Sequence, residues 1–218
     1  MRRSQEFDEE RAKRWSRPVA RSAGSIHTTL ARRITADWVP NGDYYVFLDV
    51  GTGPGRLLLE VKALFPRARV IGIDPLDYML NVARQNAEKA GFDDIEIILG
   101  SAEEIPVDSE TVDLAVAQNS LLFWDDPKKG FSEIYRVLKS DGKVIIWDWN
   151  KSYPKWKFYL QNLNLMRRAG LWRAKDVRSS FRQAYRFEEA LRLVLDGNFK
   201  PIETEGKELR FFIKAAKG

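Results

Sequence analysis

Short apolar runs alternate with stretches of helical period from residue 44 onward. The apolar runs predict five strands: Tyr45–Asp49, Arg69–Asp74, Ile95–Leu99, Val112–Ala117 and Lys143–Asp148. Each run is almost continuously apolar, which is typical of a parallel sheet covered by helices on both faces. This alternation of strands and helices therefore predicts successive βαβ units.

Helical periodicity fills the gaps between these strands. Apolar residues three and four positions apart predict helices over Arg56–Phe65, Asp77–Ala90 and Pro127–Leu138, with Gly91 placed to end the second. Nearer the amino terminus, the same spacing predicts a helix over Thr28–Val39.

The last 32 residues break the parallel pattern. A helix over Phe187–Leu195 precedes two strands, Pro201–Thr204 and Glu208–Ala215, and the short connection between them predicts an antiparallel hairpin. The expected fold is α/β: a Rossmann-like, doubly wound, seven-stranded sheet, mostly parallel with an antiparallel last strand and helices on both faces.

We expect a single domain of residues 1–218 with four parts. They are a basic helical extension (1–43), a ligand-binding core (44–149), a helical lid rich in basic and aromatic residues (150–187), and the closing helix and hairpin (188–218). No internal repeat or low-complexity linker divides the chain.

A glycine-rich turn, LDVGTGPG, follows the first predicted strand and leads directly into a helix. Gly51, Gly53 and Gly55 permit a sharp turn and close approach of a ligand to backbone N–H groups. The dinucleotide fingerprint needs a glycine where Arg56 stands, so a pyrophosphate cradle is disfavoured. Asp49, just before the turn, would repel pyrophosphate but accept hydrogen bonds from an ammonium group.

A second acidic residue, Asp74, ends the second predicted strand beside the first. A carboxylate at that position can accept hydrogen bonds from both hydroxyls of a ribose. The third strand is followed by Ser101, Ala102 and Glu103. These residues lie near the end of the crevice where the adenine of a nucleoside ligand would bind, and apolar residues after Asp74 would supply the wall of the crevice.

Five segments together resemble the class I S-adenosylmethionine-dependent methyltransferases, in particular the broad group that contains the ubiquinone and menaquinone biosynthesis enzymes. They are LDVGTGPG, VIGIDPLDYML, LGSAEEIP, VDLAVAQNSLLFWDDP and EIYRVLKSDGKVII, in family order and spacing. The resemblance implies methyl transfer from S-adenosyl-L-methionine, with S-adenosyl-L-homocysteine as product. The cofactor-binding residues that we expect are Asp49, Gly51, Thr52, Gly53, Gly55, Asp74, Pro75, Met79, Ser101, Ala102, Glu103 and Gln118.

The amino-acid composition excludes several kinds of catalytic site. The chain has no cysteine and one histidine, His27, which excludes thiolate nucleophiles and multi-histidine metal clusters, so no metal site is expected. The net charge of +5 is unevenly distributed: residues 1–37 carry +4, 38–149 carry −8, 150–187 carry +9, and the rest are neutral. The basic segments indicate an anionic partner or solvated faces.

The acceptor is less constrained than the cofactor. Candidate acceptor-pocket residues follow the fourth and fifth strands: Asn119, Phe123, Trp124, Trp149 and Tyr153. Residues 118–120 do not resemble the motif of enzymes that methylate exocyclic nitrogens, and no catalytic base stands out. His27 could reach over the cofactor, although a surface or capping role is favoured.

We expect a small or lipid-like acceptor. RNA or protein methylation through the basic segments is one alternative, and a non-catalytic cofactor-binding module is another. For residues 150–187 we favour a lid with aromatic side chains inside and arginines outside over an anion-binding or membrane-docking surface. No transmembrane or signal segment is evident, so the predicted location is cytoplasmic.

Overall fold

A seven-stranded sheet forms the centre of the chain in the computed structural model, which describes residues 10, 13, 22–35, 45–160 and 171–218. Side chains are described for these residues except 22–27, 35 and 171–174. The strands are β1 (Val46–Val50), β2 (Arg69–Asp74), β3 (Glu96–Leu99), β4 (Val112–Gln118), β5 (Leu138–Trp149), β6 (Phe199–Glu205) and β7 (Arg210–Lys217).

The strand order is β3-β2-β1-β4-β5-β7-β6. Strands β1 to β5 pair in parallel, whereas β7 is antiparallel to both of its neighbours, β5 and β6. The order reverses between β1 and β4, and ligands of doubly wound sheets bind outside the carboxyl ends of the strands at such a point. The predicted fold class, including its antiparallel last strand, is confirmed.

Helices cover both faces of the sheet. They are α1 (Ser22–Thr35), α2 (Arg56–Leu64), α3 (Asp77–Ala90), α4 (Pro127–Val137), α5 (Leu171–Gln183) and α6 (Phe187–Asp196), with a short 3₁₀ helix at Leu121–Phe123. Gly91 adopts a φ of 77° and ends α3, as predicted, because an αL residue lets its N–H satisfy the last helical carbonyls. No helix in the described part of the chain is long and apolar enough to cross a membrane.

Two hydrophobic cores lie on opposite faces of the sheet. On one face, Phe131 and Ile134 of α4 belong to the same buried cluster as Ile146 of β5. On the other, Leu30 of α1 joins Phe47 of β1 in a second buried cluster. The alternation of β1 and β5 side chains between these clusters is the period-2 geometry of a strand buried on both faces.

The structure corrects several predicted boundaries. The described part of the amino-terminal helix runs over Ser22–Thr35, so the helix begins before the predicted Thr28; the predicted end, residues 36–39, lies outside the described part of the chain. β5 begins at Leu138, five residues before Lys143, and Leu138 pairs with Val112 across a register shift in β4. The sequence did not predict that β5 begins this early, because residues 139–141 are polar and lack the apolar pattern of a buried strand.

Part of the segment 150–187 forms a third cluster, called here the lid cluster. It brings Leu122 and the indole of Trp149 together with side chains from both ends of the segment: Tyr153, Phe158, Val177, Phe181 and Ala184. The rings of Phe158 and Phe181 stack with centroids 4.2 Å apart. Residues 161–170 lie outside the described part of the chain.

The expectation that the lid keeps its aromatic side chains inside is wrong for two residues. Residues 155–160 are helical, and on this helix Trp156 is 63% exposed and Tyr159 is 40% exposed. Phe158 points into the lid cluster and is 1% exposed. Periodicity alone did not separate these positions, because a helix with apolar residues at successive positions must expose some of them.

Candidate functional site

The glycine turn after β1 adopts a backbone that side chains disfavour. Gly51, Gly53 and Gly55 have φ values of +78°, +54° and +74°, a region in which L-residues with a Cβ are strained. The N–H groups of Gly51 and Thr52 donate to the carbonyl of Ile73 at 2.9 and 2.8 Å. The turn is therefore fastened to the end of β2.

Gly51 also lies against the loop that follows β4. A Cβ at Gly51 would lie 2.5 Å from the Cβ of Ser120, closer than real contacts allow. The Ser120 hydroxyl in turn donates to the carbonyl of Val50 at 2.6 Å. Glycine at position 51 thus lets the ends of β1 and β4 approach closely.

Asp49 is a buried carboxylate at the base of the turn. Its side chain is 2% exposed, and Oδ2 accepts a 2.9 Å hydrogen bond from the hydroxyl of Thr52. Oδ1 is buried and accepts no hydrogen bond from the described residues. Burial raises the pKa of Asp49 to about 7, against the hydrogen bond from Thr52, and the negative charge of Asp74 adds to the increase.

Asp74 closes the opposite side of the turn. Oδ2 accepts from the N–H of Gly53 at 2.9 Å, and Oδ1 accepts from the N–H of Leu76 at 3.0 Å. Burial raises the pKa of Asp74 to about 6, and these two backbone hydrogen bonds limit the increase. Two buried carboxylates therefore flank one turn, a negative site with few compensating charges.

The other predicted cofactor residues lie along the same edge of the sheet. Met79 and Ala102 are buried and apolar, whereas Ser101, Glu103 and Gln118 are half-buried and Pro75 is exposed. The backbone that leads to Ser101 is joined to the end of β2, because the N–H of Gly100 donates to the carbonyl of Asp74 at 3.3 Å. The carboxyl ends of β1 to β4 thus bring all twelve predicted positions to one edge.

The predicted acceptor residues separate into two environments. Trp149 and Tyr153 belong to the lid cluster, Phe123 packs against it, and Asn119 directly precedes Ser120, which contacts the end of β1. Trp124 instead belongs to the buried cluster that contains Phe131 and Ile134 of α4. Its ring lies edge-on to the ring of Phe131, with the two centroids 5.5 Å apart. The side chain of His27 lies outside the described part of the chain.

Asn119 has an unusual backbone and a defined side-chain partner. Its φ is +53°, which Asn tolerates better than most residues, and its N–H donates to the carbonyl of Trp147 at 3.0 Å. Its Oδ1 accepts from Nε of Arg210 at 3.3 Å, across 91 residues of sequence. This backbone conformation orients the side-chain amide of Asn119 toward Arg210 of β7.

Sequence reasoning missed two charged residues near this edge, Asp148 and Arg210. Asp148 is 2% exposed and accepts from the N–H of Trp149 at 2.7 Å, and burial raises its pKa to about 7 despite opposing backbone N–H groups and the charge of Arg210. Burial lowers the pKa of Arg210 to about 10. The strand-end position was a signal for Asp148, but no local pattern marks Arg210.

Comparison with known proteins shows what part of the chain is similar to. Residues 48–146 match a family model described as "Methyltransferase domain". The chain is 36% identical over 99 residues to a 2-methyl-6-phytyl-1,4-hydroquinone methyltransferase of Oryza sativa, and 32% identical over 99 residues to an uncharacterized methyltransferase of Bacillus subtilis. Each match covers 45% of this chain, but 29% and 53% of the respective relatives. The chain therefore matches about half or less of the length of these relatives.

The likeness in fold extends much further than the likeness in sequence. A solved structure of a putative S-adenosyl-L-methionine-dependent methyltransferase from Methanococcus maripaludis superposes with a TM-score of 0.74 at 24% identity, covering 97% of this chain and 94% of that one. The fold and the site define a Rossmann-like protein with its ligand crevice at the strand carboxyl ends. Residues 48–146 are similar to the methyltransferase domain family, and nearly the whole chain shares the fold of that solved structure.

Proposed function

We propose that this chain binds S-adenosylmethionine in the crevice between the glycine turn and Asp74 and transfers its methyl group to a small or lipid-like acceptor. The observation that carries the proposal is the buried Oδ1 of Asp49, which accepts no hydrogen bond from the described residues. A buried polar atom without a partner is costly, so this oxygen marks a place for a donor from a ligand.

The charge at this position selects the kind of ligand. Asp49 and Asp74 are both buried, and burial raises the pKa of each. A ligand with a phosphate would add a third negative charge, whereas S-adenosylmethionine, with an ammonium, a sulfonium and one carboxylate, carries a net positive charge. The residues present therefore fit this cofactor better than a dinucleotide.

The remaining cofactor residues have complementary roles in the proposal. Asp74 uses one hydrogen bond on each oxygen, and each oxygen retains a lone pair for a ribose hydroxyl. Met79 and Ala102 supply apolar surface to the adenine, with Pro75, Ser101 and Glu103 beside it. Thr52 orients Asp49, and Gln118 lines the methionine side at the end of β4.

Alignment of the reactants is the main contribution of the protein to the reaction. The bound cofactor supplies a methyl group on a sulfonium, which is already a good leaving group. In this proposal the crevice residues hold the donor, and the lid cluster, which includes Leu122 after β4 and Trp149 at the end of β5, would exclude water from the acceptor side. A base is needed only for an acceptor that is protonated at the reacting atom.

The acceptor side supports a partly apolar molecule. Trp149 and Tyr153 are buried in the lid cluster, which includes part of the proposed lid of residues 150–187, and the half-buried ring of Phe123 packs against this cluster. The named relative from Oryza sativa methylates a phytyl-substituted hydroquinone, which is a lipid-like acceptor. The four-part division of the chain and the cytoplasmic location remain predictions.

Thermal melting with S-adenosylhomocysteine tests the cofactor, because a ligand that prefers the native state raises the midpoint. We expect a clear increase at millimolar ligand and none with NAD. An unchanged midpoint with S-adenosylhomocysteine would refute the proposed cofactor.

Transfer of a labelled methyl group from S-adenosylmethionine into a cell extract tests the acceptor. We expect label in the small-molecule or lipid fraction. Label in RNA, with binding that weakens steeply as salt rises, would support the nucleic-acid alternative instead. Cofactor binding with no label in any fraction would indicate a non-catalytic module.

A further inference from the structure

We propose that Arg210 binds an anionic group of the methyl acceptor, a carboxylate or a phosphate, and so sets the orientation of the acceptor beside the methyl donor. This inference rests on the proposed function, because it concerns the acceptor side of the same crevice. It starts from an arginine on β7 that sequence reasoning did not identify.

The guanidinium of Arg210 is held between two indole rings and one amide. Its Cζ lies 4.1 Å from the ring centroid of Trp149 and 5.3 Å from that of Trp147. Nε donates to Oδ1 of Asn119 at 3.3 Å. Stacking and this hydrogen bond fix the plane of the group and leave its two terminal NH₂ groups without a hydrogen-bond partner among the described residues.

The positive charge of Arg210 is not neutralised locally. No carboxylate of the described residues forms an ion pair with it, and the acid that acts on it through space, Asp148, hydrogen-bonds to the N–H of Trp149. Desolvation lowers the pKa of Arg210, which remains charged near neutral pH. A desolvated arginine with unused donors is the arrangement that binds carboxylate or phosphate oxygens in two parallel hydrogen bonds.

The position of Arg210 relative to the donor site follows from a chain of contacts. Gly51 of the turn packs against Ser120, and Ser120 directly follows Asn119, the partner of Arg210. On the other side, Arg210 stacks on Trp149, a member of the lid cluster. The guanidinium thus contacts Trp149 of the lid cluster on one side and, on the other, the residue that precedes the contact between Ser120 and the glycine turn.

The aromatic neighbours indicate the remainder of the acceptor. Trp147 and Trp149 flank the guanidinium, and Phe123 packs against the lid cluster nearby. Trp149 is buried, whereas Trp147 and Phe123 are half-buried and keep some exposed aromatic surface. We infer an acceptor with an anionic group next to an aromatic or otherwise apolar body.

Matched pairs of small probes test the inference without knowledge of the natural acceptor. Benzoate is compared with benzamide, and phenyl phosphate with phenol, by calorimetry on the chain saturated with S-adenosylhomocysteine. We expect the two anions to bind and their neutral partners to bind at least about tenfold more weakly, as expected from the loss of a charge-assisted hydrogen-bond pair. Equal binding of the charged and neutral probes would overturn the inference.

Two variants assign the effect to Arg210. Arg210→Met should weaken anion binding about tenfold or more, and Arg210→Lys should retain part of it, because lysine keeps the charge but not the planar pair of donors. Arg192→Met, at an exposed position of α6, is the matched control and should bind like the wild type. Unchanged anion binding in the Arg210 variants would refute the assignment, and the lysine variant keeps the test available if the methionine variant does not fold.

Cofactor binding separates this inference from the alternative that Arg210 holds the carboxylate of the cofactor itself. Arg210→Met should bind S-adenosylhomocysteine as tightly as the wild type does. A tenfold loss of that affinity would overturn the acceptor assignment. If S-adenosylhomocysteine does not bind the wild type, the proposed function fails, and the probes applied to the free chain still decide whether Arg210 binds anions.

Discussion

The carboxylate of Asp74 accepts a hydrogen bond from the N–H of Gly53 at 2.9 Å. The same carboxylate accepts from Leu76 at its own strand end, so one side chain joins the turn after β1 to the loop after β2. The residue that we propose as the ribose ligand therefore also shapes the turn that it faces. Removing the carboxylate of Asp74 should therefore affect both the contact with the ligand and the conformation of the glycine turn.

Replacement of Asp74 tests both roles. Asp74→Ala should weaken binding of S-adenosylhomocysteine by about tenfold or more, because it removes the acceptor of two charge-assisted hydrogen bonds. Asp74→Asn should lose less, since its amide oxygen can still accept from Gly53. Calorimetric titration measures both affinities, with exposed Asp93→Ala as the control. Wild-type affinity in Asp74→Ala would contradict the ribose assignment.

Gly51 and Gly91 differ in surroundings but not in backbone, which makes them a matched pair. Both have φ near +78°, and a Cβ meets Ser120 at position 51 but nothing within 4 Å at position 91. Gly91→Ala should lower the free energy of unfolding by about 1–2 kcal/mol through backbone strain alone. Gly51→Ala should cost about 1–3 kcal/mol more through the contact with Ser120.

Urea unfolding of both variants measures the difference. The double variant Gly51→Ala with Ser120→Gly should recover much of the additional loss, because it removes the Cβ that the introduced methyl group would meet. Additive losses in the double variant would show that the contact with Ser120 does not carry the cost.

The pH dependence of stability follows from the raised pKa of Asp49. The pKa increases from its ordinary value of 3.8 to about 7, so the folded state binds the proton more tightly than the unfolded state. The associated stabilisation is present below about pH 4 and is lost as pH rises toward 7. Urea unfolding of the cofactor-free chain should show this decline, and Asp49→Asn should make it smaller, with the remainder due to Asp74 and Asp148, whose pKa values are also raised. An equal decline in Asp49→Asn would assign the effect to other groups.

Cofactor binding should have the opposite trend. The ammonium of S-adenosylhomocysteine favours the ionised form of Asp49, so affinity should increase from pH 6 to pH 8. Calorimetry at these pH values measures the increase. In Asp49→Asn the affinity should be lower and nearly independent of pH above 7.

Asn150 holds the connection between β6 and β7. Its Nδ2 donates to the carbonyls of Gly206 and Glu208 at 2.7 and 3.1 Å, and its side-chain oxygen accepts from the N–H of Ser152 at 3.0 Å. Asn150→Ala should lower the free energy of unfolding by about 2–3 kcal/mol, because three partly buried backbone groups lose a partner. Urea unfolding measures this, with exposed Asn81→Ala as the control. A loss equal to that of the control would contradict it.

Much of the site was predictable because its residues are close together in sequence. Asp49 and the glycines of the turn occur within seven residues, so a strand end, a sharp turn and a helix start were visible together. Asp74 was predictable because it ends the next strand, and consecutive parallel strands of this fold are neighbours. The early start of β5 at Leu138 was not predictable from the sequence. It depends on pairing with Val112, which is distant in sequence, and not on a local apolar pattern.

The amino-acid sequence alone determined the alternation of strands and helices, the conformation of the glycine turn and the two carboxylates beside it. These depend on local periodicity and on the backbone preferences of single residues. Only the tertiary structure decided that Arg210 meets Asn119 and that Phe158 is buried while Trp156 is exposed. Those outcomes depend on the insertion of β7 beside β5 and on how the lid packs, which bring together residues far apart in sequence.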